Sequence, residues 1–250
     1  MKAETLRALH VPGKPLIVPN AWDAASARMV EEAGFPAVAT SSFAMATIHG
    51  YGDGELMPVA DVLAAVAHIT RAVDIPVTVD FERGYGLDPA ELVKRFLDTG
   101  AVGLNLEDSD PRTGSMIEAG EQADFLAAVR AAAQSNLVIN ARTDSFLRNA
   151  GSAAAQLEAS VERGNRYLAA GADCVYPIGT GDAEVIRALT ERIDGPVNVA
   201  FGGGERPVGE FAALGVARVS FGPMLQRQLY ARFASVMLPA LTAGTNPFVS

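Results

Sequence analysis

The chain has 250 residues, 49% hydrophobic and 20% charged, with a formal net charge of −9. These values suit one globular domain, residues 1–250, with a large core, and the negative charge argues against a nucleic-acid or anionic-membrane partner. The single cysteine, Cys174, allows no intramolecular disulfide; with no signal peptide at the N-terminus and no apolar run of membrane-span length, a cytoplasmic location is expected.

Short β-rich runs alternate with longer runs of helical period, the pattern of repeated βαβ units around a parallel sheet. A short helix is expected near 3–9, then a strand near 16–19 and a helix near 23–34 that Asp23 caps and Gly34 follows. The second strand, near 36–40, leads into a long Gly- and Ser-rich connection, 41–57, before a helix near 58–73. The third strand, near 75–79, runs into Asp80-Phe81-Glu82-Arg83-Gly84-Tyr85-Gly86, and the next helix, near 88–99, opens on Asp88-Pro89. The fourth, near 102–106, ends in Glu107-Asp108 and a second long connection, 108–120, before a helix near 121–135. The fifth, near 137–141, ends in Arg142-Thr143-Asp144 and precedes a helix near 153–170. Strands near 173–176, 197–200 and 217–220 alternate with helices near 182–193, 207–214 and 223–238. Gly100, Gly171 and Gly215, like Gly34, stand between a helix and the next strand. Eight βα units in this length predict a (β/α)₈ TIM barrel, and no Gly-x-Gly-x-x-Gly follows the first strand to suggest a dinucleotide fold.

In such a barrel, catalytic groups lie at the C-terminal ends of the strands, where three apolar runs here end in charge. Asp80, Glu82 and Glu107, joined by Asp53 from the second connection, form an oxygen-rich set suited to Mg²⁺ or Mn²⁺. The plainer alternative is that each carboxylate pairs with an arginine or caps a helix. Arg142 is placed to hold a substrate carboxylate or a developing oxyanion, or else to pair with Asp144 or Glu107. Ser41-Ser42 offers hydroxyls and amides to an anion. Gly202-Gly203-Gly204 is either a phosphate loop or a flexible connection. His49 is either a general acid or a surface residue; His10 and His68 are read as structural, and Cys174 as a buried small hydrophobe.

These motifs together resemble the isocitrate lyase/phosphoenolpyruvate mutase superfamily. The resemblance runs to about Leu225 and rests on Asn20-Ala21-Trp22-Asp23-Ala24-Ala25-Ser26-Ala27, Glu32-Ala33-Gly34-Phe35, the Asp80–Gly86 segment, Asn105-Leu106-Glu107-Asp108 and Ala141-Arg142-Thr143-Asp144. It implies a TIM-like barrel, a homo-oligomer (tetramer or dimer) with a C-terminal helix exchanged between subunits, bound Mg²⁺, and a 2-oxo acid passing through a metal-held enolate. It makes Asp80 the main metal ligand, with Glu82, Glu107 and Asp53 holding the ion directly or through water. Ser41, with the amides of Ser42 and Phe43, would bind the carboxylate, and Arg142 would contact substrate oxygens.

Three departures refine the expectation. Glu82 replaces the second acid of an Asp-x-Asp motif. The 109–115 segment lacks the Lys-x-Cys-Gly-His loop of the cleaving lyases. It fits the Lys-Thr-Asn-Ser loop of phosphonate mutases with Arg112, Thr113 and Ser115, but Gly114 stands in the asparagine's place. The expected function is a Mg²⁺-dependent lyase acting on a small 2-oxo or 2-hydroxy carboxylate by C–C cleavage or decarboxylation, with Arg112, Thr113 or Ser115 on a closing lid. The alternatives are a C–P mutase or hydrolase, a catalytically silent 2-oxo acid binder, and a phosphate-binding isomerase or aldolase.

Overall fold

The computed structural model describes residues 1–148, 151–202 and 207–248. Nine strands are parallel: β1 (Leu16–Val18), β2 (Asn20–Ala21), β3 (Val38–Thr40), β4 (Val77–Asp80), β5 (Gly103–Glu107), β6 (Val138–Thr143), β7 (Cys174–Pro177), β8 (Asn198–Ala200) and β9 (Arg218–Ser220). β1 and β2 are one extended segment split at Pro19, which has no N–H to continue a ladder. The first half pairs with β9 and the second with β3. The ladders form a six-stranded sheet, β2-β3-β4-β5-β6-β7, and a three-stranded sheet, β1-β9-β8. A single parallel bridge, Val175 to Val197, links β7 to the smaller sheet. The architecture is TIM-barrel-like, and its hydrogen-bonded ladder is not continuous around the ring.

Residues paired across neighbouring strands share a face of the sheet. Asp80, Asn105, Asn140 and Cys174 are in register, as are Glu107, Arg142 and Tyr176. That face turns inward. The alternate residues Val79, Leu104, Leu106, Ile139 and Ala141 pack outward against the helices in the largest apolar cluster.

The helices follow their sequence signals. α1 (Lys2–Ala8) inserts Leu6 into the N-terminal end of the barrel, against Leu16, Val18, Ala39 and Val138. Gly103 makes room for it: a Cβ there would stand 2.7 Å from the Leu6 side chain and 2.8 Å from Thr78 Oγ1. Burying Leu6 contributes roughly 2 kcal/mol. α2 (Ala24–Glu32) is capped by Asp23, whose Oδ1 accepts from the Ser26 amide at 2.7 Å. Gly34, Gly100, Gly171 and Gly215 all take left-handed φ, between 77° and 102°.

The 41–57 connection is not wholly irregular. It contains α3 (Ser42–Ile48), capped by Ser41. α4 (Val59–Thr70), α5 (Pro89–Leu97) and α6 (Ala119–Ala133) follow. A second helix absent from the sequence expectation, α7 (Ser145–Arg148), starts directly after β6, ahead of α8 (Ala153–Ala169). After α9 (Ala183–Arg192), the seventh helical run is a 3₁₀ segment, Val208–Leu214. α10 (Met224–Arg232) continues through a π turn, Phe233–Met237, into α11 (Leu238–Thr242). In this final helical run Leu229, Phe233, Val236 and Leu241 are 49–57% exposed, so about half of their surface is left uncovered by their own chain. Gly203 and Gly204 lie outside the described residues.

Candidate active site

A cavity of about 400 Å³ opens at the C-terminal ends of the strands. Six of the residues singled out from sequence line it: Ser41, Ser42, Phe43, Asp53, Asp80 and Arg142. Asp80 ends β4. Its Oδ2 accepts from the Ser42 amide at 3.2 Å and the Ser42 hydroxyl at 2.9 Å. Its Oδ1 is buried with no hydrogen-bond partner among the described residues. Ser41 accepts from the Ala44 amide as the α3 cap, and the Phe43 ring carries the Arg227 guanidinium 4.2 Å from its centroid.

Glu82 and Glu107 stand behind this front. Glu82 Oε2 accepts from the Glu55 amide at 2.7 Å and Oε1 from the Tyr85 hydroxyl at 2.8 Å. Glu55 reciprocates, its Oε1 accepting from the amides of Arg83 and Tyr85. The two loops are latched together, and Glu55, Glu82 and Tyr85 all hold positive φ, 49–60°, where non-glycine backbone is strained. Glu107 Oε2 takes Arg142 Nη1 at 2.7 Å. Arg142 Nε and Nη2 go to the two oxygens of Asp144, which also accepts from Ser109. The pairing of Arg142 with Asp144 and Glu107, one of its two sequence readings, is therefore present.

Burial and crowding set the charges. Burial pushes the Glu82 carboxyl up to about 7, with Asp80 and Asp53 adding to the rise against the Tyr85 hydrogen bond. Burial lifts Glu107 to about 8; Arg142 opposes this, while Asp144, Asp80 and Glu82 reinforce it. Asp53 is raised by burial and by Asp80, with Ser42 and Arg142 working the other way. For Arg142, burial works against the charge, but Glu107, Asp144 and Asp80 outweigh it and the guanidinium stays firmly cationic.

The lid residues are elsewhere. Arg112, Thr113 and Ser115 are exposed on the 109–117 segment. Arg112 is held by Asp110 and borders a separate cavity of about 610 Å³ between that segment and the Glu55–Tyr85 latch. His10 is buried under α1, while His49, the α3 C-cap, is exposed.

Several cavity residues were assigned no role in the sequence reading. Asn105, Tyr176, Arg218 and Ser220 all line it. The signal was present in runs such as Leu104-Asn105-Leu106 and Ala217-Arg218-Val219-Ser220, where a polar residue interrupts a buried apolar strand.

A family model described as phosphoenolpyruvate phosphomutase matches residues 6–239. An uncharacterized protein of Mycobacterium tuberculosis is 32% identical over 217 residues, 86% of this chain and 80% of its own length. The 2-methylisocitrate lyase of Shewanella oneidensis is 31% identical over 195 residues, 74% of this chain, and the match spans 65% of that lyase. A solved structure from Burkholderia cenocepacia, of a protein provisionally assigned as a phosphonomutase, matches with a TM-score of 0.90 at 42% identity, covering 94% of this chain and 98% of that one. A phosphonopyruvate hydrolase solved with oxalate and Mg²⁺ shares the fold at a TM-score of 0.86 and 23% identity, covering 98% and 88%.

Proposed function

The chain belongs to the phosphoenolpyruvate phosphomutase family, within the superfamily that also holds the methylisocitrate and dimethylmalate lyases, and from that premise we propose a Mg²⁺-dependent lyase acting on a small 2-oxo or 2-hydroxy carboxylate. The observation that carries this reading is the bare, buried Oδ1 of Asp80 beside Asp53, Ser42 and Arg142 in one cavity.

The donor set fits a hard cation. The candidate ligands are carboxylates, and among the described residues no three His, Cys, Asp or Glu side chains form a ready cage. Mg²⁺ favours such a site, taking one or two carboxylates and filling its other positions with water and substrate oxygens. Asp80 would hold the ion directly, with Asp53, Glu82 and Glu107 directly or through water; Mn²⁺ is the alternative metal. When bound, the ion supplies electrophilic stabilisation of charge on the substrate's carboxylate and C2 oxygens.

The protein's part is to bind and orient. Ser41, Ser42 and Phe43 form the wall that meets the carboxylate. Arg142, immobilised by Asp144 and Glu107, presents fixed positive charge to the developing oxyanion. Arg112, Thr113 or Ser115 would contact the substrate on closure of the 109–120 loop. The chemistry assigned is C–C cleavage or decarboxylation. A C–P mutase or hydrolase is the second reading, favoured by the 42% identity to the phosphonomutase-assigned protein.

We also assign a homo-oligomer, a dimer or tetramer, in which the exposed α10–α11 run crosses to a second copy. An apolar groove of about 530 Å³, between Leu225 and Leu229 of α10 and Trp22 and Met29 of the same chain, offers a surface for the second copy's run to cover.

The test is a thermal shift with oxalate, an enolpyruvate mimic. Stabilisation that needs both oxalate and Mg²⁺ supports the assignment. Stabilisation by phosphate alone moves the function away from Asp80. Product analysis with 2-oxo acids, malate-type acids and phosphonates then separates C–C from C–P chemistry, and tight binding without turnover marks a silent binder.

A further inference from the structure

Glu107 and Asp108 stand side by side at the end of β5 and point to opposite faces, as successive residues of a strand do. Glu107 turns inward to Arg142. Asp108 turns toward α8 and is fully buried there. Its Oδ1 accepts from the Asp144 amide at 2.8 Å. Its Oδ2 accepts from the Tyr167 hydroxyl at 2.8 Å and from Arg163 Nη1 at 3.0 Å. Arg163 and Tyr167, at i and i+4, share one face of α8, and Arg163 Nη1 also donates to the Tyr167 hydroxyl at 2.9 Å. Asp108, Arg163 and Tyr167 are not part of the cavity lining, so a direct role toward a metal or a substrate does not account for them.

What this carboxylate holds is Asp144. The backbone of Asp144 is tied to Asp108, and its side chain takes Nε and Nη2 of Arg142 and the Ser109 hydroxyl. A continuous chain of hydrogen bonds therefore runs from α8 to the cavity: Arg163 and Tyr167 to Asp108, Asp108 to the Asp144 amide, Asp144 to Arg142. Asp108, Asp144 and Tyr167 are fully buried, where charge-assisted hydrogen bonds are strong and their loss is costly. Packing β5 against α8 needs no charge, and apolar side chains do it at less cost. A buried carboxylate that receives donors from two elements instead fixes the position of the backbone between them.

We propose that Arg163 and Tyr167 are positioning residues for Arg142: through Asp108 they set the Asp144 backbone, and with it the aim of the guanidinium into the cavity. The proposal rests on the reading above of Arg142 as the contact to substrate oxygens. It extends the working site to a helix that lies behind the barrel wall.

Tyr167→Phe keeps the ring and removes the hydroxyl, Arg163→Met removes the charge, and Arg163→Lys keeps it. The Nε–H of Arg142, donated to Asp144, is read by proton–nitrogen NMR, its signal identified by its loss in Arg142→Lys. In the native protein that proton is expected to exchange slowly with water; in Tyr167→Phe and Arg163→Met it exchanges about tenfold faster, the worth of one hydrogen bond. Oxalate binding in excess Mg²⁺, followed by calorimetry, weakens about three- to tenfold in the same two variants, the scale of coupling through a buried network, and Arg163→Lys recovers part of it. A tie that only holds the fold together lowers the melting temperature and leaves both readouts native. Unchanged exchange in the folded variants, unchanged oxalate affinity despite faster exchange, or an Arg142 proton that already exchanges freely in the native protein would each overturn the proposal. If Tyr167→Phe does not fold, Arg163→Met decides it, at a side chain that reaches the surface. The NMR readout needs no ligand. Slow Arg142 exchange without Mg²⁺-dependent oxalate binding in the native protein counts against the substrate reading, whereas oxalate binding that the variants leave intact counts only against the positioning.

Discussion

Arg142 grips Asp144 at two points, Nε to Oδ1 at 2.7 Å and Nη2 to Oδ2 at 3.1 Å, and so cannot rotate away from the cavity it lines. Asp144 is fully buried and also accepts from Ser109. Asp144→Asn keeps the shape and removes the charge. Breaking a buried pair from one side costs about 3–5 kcal/mol, and urea melts should show a loss of that size. A loss below about 1 kcal/mol would mean that the pair does not hold the arginine.

Asp80→Asn should behave in the opposite way. The amide oxygen still accepts from Ser42, while the repulsion with Asp53, Glu82 and Glu107 is relieved. The ligand-free protein should melt at the same temperature or higher, and the joint oxalate–Mg²⁺ shift should vanish. A retained shift removes Asp80 from the metal site.

The stabilising effect of Mg²⁺ should grow with pH. The folded pKa values of Glu82 and Glu107 are raised from 4.5 to about 7 and about 8. Their contribution to stability is therefore fully present below 4.5 and is lost as pH rises through 7 to 8. A bound cation compensates the ionised carboxylates, so the Mg²⁺-induced melting shift should be larger at pH 8 than at pH 6. A shift that does not change across this range would contradict the crowding of these carboxylates around the ion.

His10 imposes an acid limit. Burial first, and Arg218 next, lower its pKa from 6.5 to about 4. Its contribution is present above 6.5 and is lost as pH falls toward 4, because the unfolded chain binds the proton more readily. The full loss is about 3 kcal/mol. His10→Asn, whose amide can still reach the Leu6 carbonyl, should flatten stability between pH 6.5 and 4, read by denaturant midpoints.

If the final helical run crosses to a second copy, charge on its apolar side should undo the assembly. Leu229→Asp combined with Leu241→Asp is expected to yield monomers in light scattering, against a dimer or tetramer for the native chain. A native chain that is already monomeric refutes the exchange.

Much of this arrangement was legible in the sequence. The helix ends were written in Asp23, Asp88 and the four left-handed glycines, and the candidate site in the charged ends of β4, β5 and β6. α3 was not legible because Ser42–Ile48 is short and its cap, Ser41, stands in a Ser pair of the kind common in turns, so the segment read as part of a long connection. Arg218 was missed for a different reason: strand periodicity assigns faces but does not say which face is the interior of a polar barrel. Arg112, Thr113 and Ser115 were assigned by motif alone; all three are exposed, and Arg112 borders the neighbouring cavity.

The split at Pro19 has a consequence for biosynthesis. β1 can pair only with β9, about two hundred residues downstream. While the ribosome is still making the middle of the chain, Leu16–Val18 waits as an unpaired edge, and the six-stranded arc presents its Cys174–Pro177 rim. Loop closure over that span is slow, and waiting edges are templates for unwanted association. The nascent protein is therefore most vulnerable to aggregation just before Ser220 emerges, and a chaperone that shields strand edges would act in that interval.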